Sequence, residues 1–241
     1  MCYTATQVVK AYELQSFYTA TIPEQLPDSE YYKADGFTHP SLIVLNGNRE
    51  LKLMQWGLIP IWAKADAAAK LSNSTLNAKS ETVRTLPSFK GSIGKNRCII
   101  PVNSFFEYKH LDGDKLPYCI HPKEQPFFNL AGIYSNYKQP DGNWISTFSI
   151  LTQPANVFMA DIHNSAKRMP MMLSNNLIDD WINPSSPASM IDDIMQYACD
   201  DSSLAAYRVR RDLKKAPNDS SVLLGVSEQP EIPSNDNLLT L

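Results

Sequence analysis

Residues 97–111, RCIIPVNSFFEYKHL, hold two short runs of β-branched and aromatic side chains separated by Asn103 and Ser104, with no helical spacing in either. They read as strands over 97–102 and 105–111. Working outward, the same composition recurs in LIVLNG (42–47), LKLMQWGLI (51–59), PYCIHP (117–122), FFNLAGIYSNY (127–137) and WISTFSILT (144–152). Asn46-Gly47, Asp112-Gly113 and Asp141-Gly142 lie between such runs. These residue pairs tolerate the positive φ of tight hairpin turns, so much of the sheet should be antiparallel. Helices are expected over 5–14, 63–71, 155–161, 175–182 and 187–198, where apolar residues such as Leu177 and Trp181, or Ile191, Ile194 and Met195, fall three and four apart. The reading is a single α+β domain over 1–215, with a largely antiparallel, barrel-like β core flanked by helices. Residues 216–241 mix turn formers, acids and isolated apolar residues without period, and are expected to be a flexible tail.

A chain of 241 residues with 43% hydrophobic and 20% charged residues can bury one large core and is neither fibrous nor disordered in composition. No apolar run is long enough to span a bilayer, and the first residues lack a basic leader followed by an apolar segment. A cytoplasmic location is therefore expected. Cys2, Cys98, Cys119 and Cys199 show no CxxC spacing. They suggest reduced thiols rather than a zinc site or a disulfide framework. His39, His110 and His121 add no metal-ligand pattern. The formal net charge of -3 excludes a binder coated in positive charge, so any nucleic-acid site must be local. The stretch 64–97, with an excess of five positive charges, is one candidate.

Four positions carry recognisable chemistry. Cysteine at position 2 is small enough for the initiator methionine to be removed, which would leave an α-amine beside a thiol. That amine titrates near pH 8 at about 7.7–8.0 and condenses with aldehydes, and the tethered thiol can then close a five-membered ring on the imine. Asn77, in NAKSETV (77–83), could orient a sugar or the amine, or lie in a plain surface loop. Strand alternation places Glu107 on the same face as Phe105, where burial would raise its pKa, although an edge strand facing water fits the same pattern. His163 precedes Lys167 and Arg168 and could protonate a leaving oxygen, or serve structure alone. Trp56 and Trp62, in WGLIPIW (56–62), suit either a base-stacking platform or a core.

The ordered set of Met1-Cys2, WGLIPxW, NAxSET, RCxxPxxxFFE and IHxxxxRMPxxL resembles the SOS-response-associated peptidase family. The likeness runs over roughly 1–215 and includes LIDDWINP and YRVRRDLKKAPND, which looks like the family's closing strand. It implies an abasic-site sensor for single-stranded DNA. Cys2, freed by self-removal of Met1, would form a thiazolidine with the ring-opened deoxyribose. Asn77 would position the N-terminus, Glu107 would shuttle the amine's protons, and His163 would assist ring opening and reversal, with an accompanying lyase-type activity. Lys79, Arg84 and Arg168 would hold phosphates, Trp56 and Trp62 would shape the strand path, and no cofactor, metal or membrane partner is implied. This chain departs from the family at Tyr3 and Thr4, where an Arg is frequent at the second of these, and at Lys79, where Arg is usual. An N-terminal-nucleophile amidohydrolase and a non-covalent DNA reader are the competing readings.

Overall fold

The computed structural model describes residues 2–23 and 25–226. Strand β1 (Thr4–Val9) and helix α1 (Ala11–Tyr18) occupy the region where the sequence suggested a helix over 5–14. The residues TATQVV are buried in succession at Ala5, Thr6 and Gln7 and pair with strands on both sides, so sheet pairing overrides the helix-like spacing that ran on into α1. The helix begins at Ala11, and β1 is pinned in the core by Gln7. The Gln7 amide nitrogen donates to Ile43 O (2.9 Å) and Pro101 O (2.8 Å), while its oxygen accepts from Ile43 N (2.8 Å).

One sheet pairs β1 with β2 (Ser29–Asp35) and β7 (Ser104–Leu111), then continues through β8 (Asp114–Pro122) to β13 (Leu204–Arg208). The other strands close a five-strand barrel in the order β10, β4, β3, β6, β9. These are β3 (Ser41–Leu45), β4 (Leu51–Trp56), β6 (Arg97–Val102), β9 (Phe128–Lys138) and β10 (Trp144–Pro154). All barrel pairings are antiparallel except β4 with β10. Three short strands extend this sheet: β5 (Asn77–Lys79), β11 (Arg168–Pro170) and β12 (Met172–Leu173). The α+β class and the barrel-like core are as the sequence indicated. Strands β2, β5 and β13 were not resolved as strands by composition; in the YRVRRDLKKAPND segment the strand ends at Arg208 and turns follow.

The barrel strands read as near-continuous apolar runs because both faces are covered. In β3, Leu42 and Val44 face a cluster containing Trp56, Ile100 and Phe105. Ile43 and Leu45 face a second cluster, with Leu14 of α1 and Trp181. Helices α5 (Ile178–Ile182) and α6 (Ala188–Met195) supply Trp181, Ile191 and Ile194 to that second cluster; α2 (Ala65–Ser74), α3 (Pro87–Ile93) and α4 (Val157–Ile162) complete the flanking layer.

Two groups expected elsewhere are structural. Arg97 is buried, its guanidinium donating to carbonyls at the ends of α5 and α3, including Trp181 O (2.5 Å) and Ile93 O (2.8 Å), so it adds nothing to a phosphate surface on 64–97. Within the expected tail, 216–226 packs against the first sheet: Ala216 and Val222 are buried beside Phe106 and Cys119, and Val209 bridges to Gly225. The apolar residues there found a niche that local pattern did not reveal. Residues 227–241 lie outside the described residues. Among the described residues no helix is long and apolar enough to cross a membrane.

Candidate active site

The N-terminal segment lies where the two sheets meet. Cys2 is fully buried, and its carbonyl accepts a 2.8 Å hydrogen bond from the Asn77 side-chain nitrogen. Asn77 is held in place because β5 adds in parallel to β10, with Asn77 opposite Ile150. The next carbonyl, of Tyr3, accepts from Gly36 N at 2.8 Å. A Cβ at Gly36 would sit 3.3 Å from that carbonyl, from the Trp56 ring and from Leu76, so these neighbours would have to give by a few tenths of an ångström to admit one.

Strand β7 brings in the carboxyl. Ala5 pairs with Phe105 and Thr6 with Ser104, and continuing that antiparallel register sets Glu107 level with Tyr3. Phe105 enters the main core and Phe106 the opposite cluster, so the alternation expected from sequence holds and Glu107 is buried. His163 follows α4 and places Nε2 3.9 Å from Glu107 Oε2. Its Nδ1 lies 2.7 Å from Arg168 O. A carbonyl only accepts, so neutral His163 carries its proton on Nδ1 and turns the Nε2 lone pair toward Glu107.

Polar ties outside the site fix this distance. Asn164 Oδ1 accepts from His110 N (3.0 Å) and its Nδ2 donates to His110 O (2.8 Å), while Lys109 pairs with Asp161 (2.6 Å), so α4 and the residues after it are clamped to β7. Sequence reasoning passed over Asn164 and Asp161, whose pairing is legible only once α4 and β7 are neighbours.

Burial pushes the Glu107 carboxyl up to about 7 and pushes the His163 imidazole below its usual value, the Arg168 carbonyl acting in the opposite sense. Near neutral pH His163 is therefore uncharged and Glu107 both gives and takes a proton. Burial, reinforced by the Glu107 charge, raises the Cys2 thiol far above the ordinary cysteine range. The thiol is thus not a standing thiolate. It needs a base at the moment it attacks, and Glu107 is close enough to influence it electrostatically.

The remaining expected site residues disperse. Trp56 is fully buried, stacked on Phe148 at 6.1 Å, with its ring nitrogen donating to Leu76 O (2.9 Å); the core reading holds and it offers no face to a base. Trp62 is 57% exposed, in a cleft with Pro60, Pro87 and Asn96. Lys79 is exposed, two residues beyond Asn77. Arg84 is engaged by Asp192 (2.6 Å) and Ala188 O (3.1 Å). Arg168 forks onto Glu81 and donates to Thr152 O (2.7 Å), so its guanidinium is committed within the protein.

A cleft of ≈ 600 Å³ opens over Glu107 and His163, lined also by Tyr3, Tyr108, Lys115 and Lys214. Its cations come from β8 and from the segment after β13, not from 64–97. The run RVRRDLKK (208–215) was the available signal. Among the described residues no three His, Cys, Asp or Glu side chains are grouped to hold a metal ion.

A closed barrel, with a buried cysteine at position 2 held by an amide and faced by a carboxyl–imidazole pair, defines the architecture. The chain belongs to the SOS response associated peptidase family, whose model matches residues 1–216. Over 211 residues it is 35% identical to the abasic site processing protein YoqW of Bacillus subtilis, covering 84% of this chain and 90% of that one. The abasic site processing protein HMCES of Gallus gallus is 30% identical over 159 residues, which cover 57% of this chain and 46% of that longer one. A crystal structure of a protein from Bacteroides thetaiotaomicron superposes with a TM-score of 0.87 at 31% identity, covering 93% of this chain and all of that one. A Bordetella bronchiseptica protein at 24% identity and TM-score 0.73, covering 87% of this chain and 100% of that one, shares the fold.

Proposed function

We propose that the protein senses abasic sites in single-stranded DNA and captures them covalently through Cys2 after hydrolysis of the Met1–Cys2 bond. The observation that carries this is the convergence of Asn77 on the Cys2 carbonyl with the buried Glu107–His163 pair beside the same segment. The names of the relatives support the lesion as target.

The α-amine of Cys2 attacks the C1′ aldehyde of the ring-opened deoxyribose, giving a carbinolamine that loses water to an imine. Protonated Glu107 supplies the proton for the departing oxygen, and His163 Nε2 accepts the C1′ hydroxyl proton as the sugar ring opens. The thiol then adds to the imine carbon, its proton passing to Glu107 as the imine nitrogen regains one. Aldehyde, amine and thiol become thiazolidine and one water, so the second step profits from a tethered nucleophile. Asn77 acts as a positioning residue, fixing the Cys2 carbonyl and hence the direction of the amine. A single-stranded target spares the unstacking that a duplex would require.

Denaturing electrophoresis tests this with an oligonucleotide carrying one abasic site, an undamaged control and Cys2→Ala. A heat-stable shifted band that needs both lesion and Cys2 is the expected result. Its absence with protein that has lost Met1 would rule out covalent capture.

A further inference from the structure

The cleft over Glu107 and His163 has a wall that the proposed chemistry leaves unused. After β13, Val209 N bonds Pro117 O (3.0 Å) and the chain turns through a 3-10 segment at Leu213–Lys215. Leu213 and Ala216 are buried beneath this turn. From β2, the Lys33 ammonium donates to Leu213 O (3.2 Å), Lys214 O (3.2 Å) and Ala216 O, and Lys33 N donates to Asn218 Oδ1 (2.8 Å). The turn is thus anchored through its carbonyls and apolar residues, while the side chains of Lys214 and Lys215 stand exposed on the cleft.

Lys115 of β8 joins them, and the Lys214 ammonium lies 5.8 Å from the Tyr108 ring. The acidic residue of this wall, Asp212, is bound twice by Arg210 (2.6 and 2.8 Å), and Arg211 pairs with Asp114 (3.0 Å). Among the described residues no carboxylate lies within ion-pair distance of Lys115, Lys214 or Lys215. In a chain of net charge -3, three ammonium groups thus stand on one anchored wall of the cleft, with Asp212 close enough to feel the charge of Lys215.

We infer that Lys115, Lys214 and Lys215 form a phosphate-binding wall that seats the backbone of the DNA strand beside the nucleotide presented to Glu107 and His163. The identity of the strand rests on the proposed function. Lysines give point-charge contacts to phosphate without a base-reading fork, so the wall holds any sequence.

Fluorescence anisotropy with an undamaged, labelled single-stranded oligonucleotide measures this binding reversibly, because no aldehyde is present to react. The wild type, K115Q/K214Q/K215Q and the control K70Q/K90Q/K95Q are compared across a salt series. Each lost phosphate contact flattens the log–log salt slope by about 0.7, so the cleft variant should lose about 2 and bind about ten-fold more weakly at low salt. The control should stay within about two-fold of wild type. An unchanged slope in the cleft variant, or an equal loss in the control, overturns the inference. Failure of the wild type to form an adduct with abasic DNA would sink covalent capture and leave this measurement standing, so the two failures are distinguishable.

Discussion

Replacing Glu107 by Gln should change how stability depends on pH, in a direction the structure dictates. The Glu107 carboxyl is nearly unexposed and its value rises from 4.5 to about 7 on folding, with burial as the main cause. The folded chain therefore holds this proton more tightly than the unfolded chain. Any stability linked to it is complete below 4.5 and is lost as pH rises through about 7. The gap corresponds to about 3 kcal/mol at 1.36 kcal/mol per pH unit. His163 runs the opposite way, because burial lowers its pKa and stability falls as acid charges it. That contribution is common to both proteins and largely cancels in their difference. Urea unfolding followed by tryptophan fluorescence at about pH 4.5 and about pH 8 should show Glu107→Gln gaining about 2–3 kcal/mol relative to wild type at the higher pH. A difference that stays constant, or moves toward wild type as pH rises, would refute the buried-carboxyl argument. The same variant should form the adduct far more slowly, since Gln neither gives nor takes a proton.

Other perturbations have equally definite outcomes. Asn77→Ala removes the bond to the Cys2 carbonyl. It should slow adduct formation about ten-fold in single-turnover gels, as expected for about 1.4 kcal/mol of lost positioning. Gly57 has φ +112°, and a Cβ there would meet His39 at 2.7 Å and Ser72 O at 2.8 Å. Gly57→Ala should therefore cost about 2–4 kcal/mol in chemical denaturation. Arg97→Met strands carbonyls at the ends of two helices and should destabilise by about 3 kcal/mol, visible as a lower Tm.

The barrel strands were legible because their faces are covered on both sides, so residues such as Ile99 and Ile100 show continuous apolar character whatever their partners. Strand β1 was hidden because Gln7 and Thr6 look polar in sequence, yet both are buried by bonds to distant backbone and side chains. Glu107 stood out as a carboxyl amid aromatic residues, and its burial follows from strand alternation. The expected phosphate binders were harder to place. Whether an arginine faces solvent or a carboxylate depends on its tertiary neighbours, and both Arg84 and Arg168 have acidic partners far along the chain. Most of the cations lining the cleft lie after β13, in a segment that resembled a plain closing strand. Trp56 and Trp62 share one motif but part at Gly57, whose positive φ turns the chain and leaves one ring in the core and the other in solvent.

The most direct test of covalent capture is mass spectrometry of the protein incubated, without reductant, with a single-stranded oligonucleotide bearing one abasic site. Covalent capture should give one species whose mass is the chain without Met1 plus the oligonucleotide minus one water, with fragmentation placing the link on Cys2. An adduct that retains Met1, a link at another residue, or no adduct at all would contradict it.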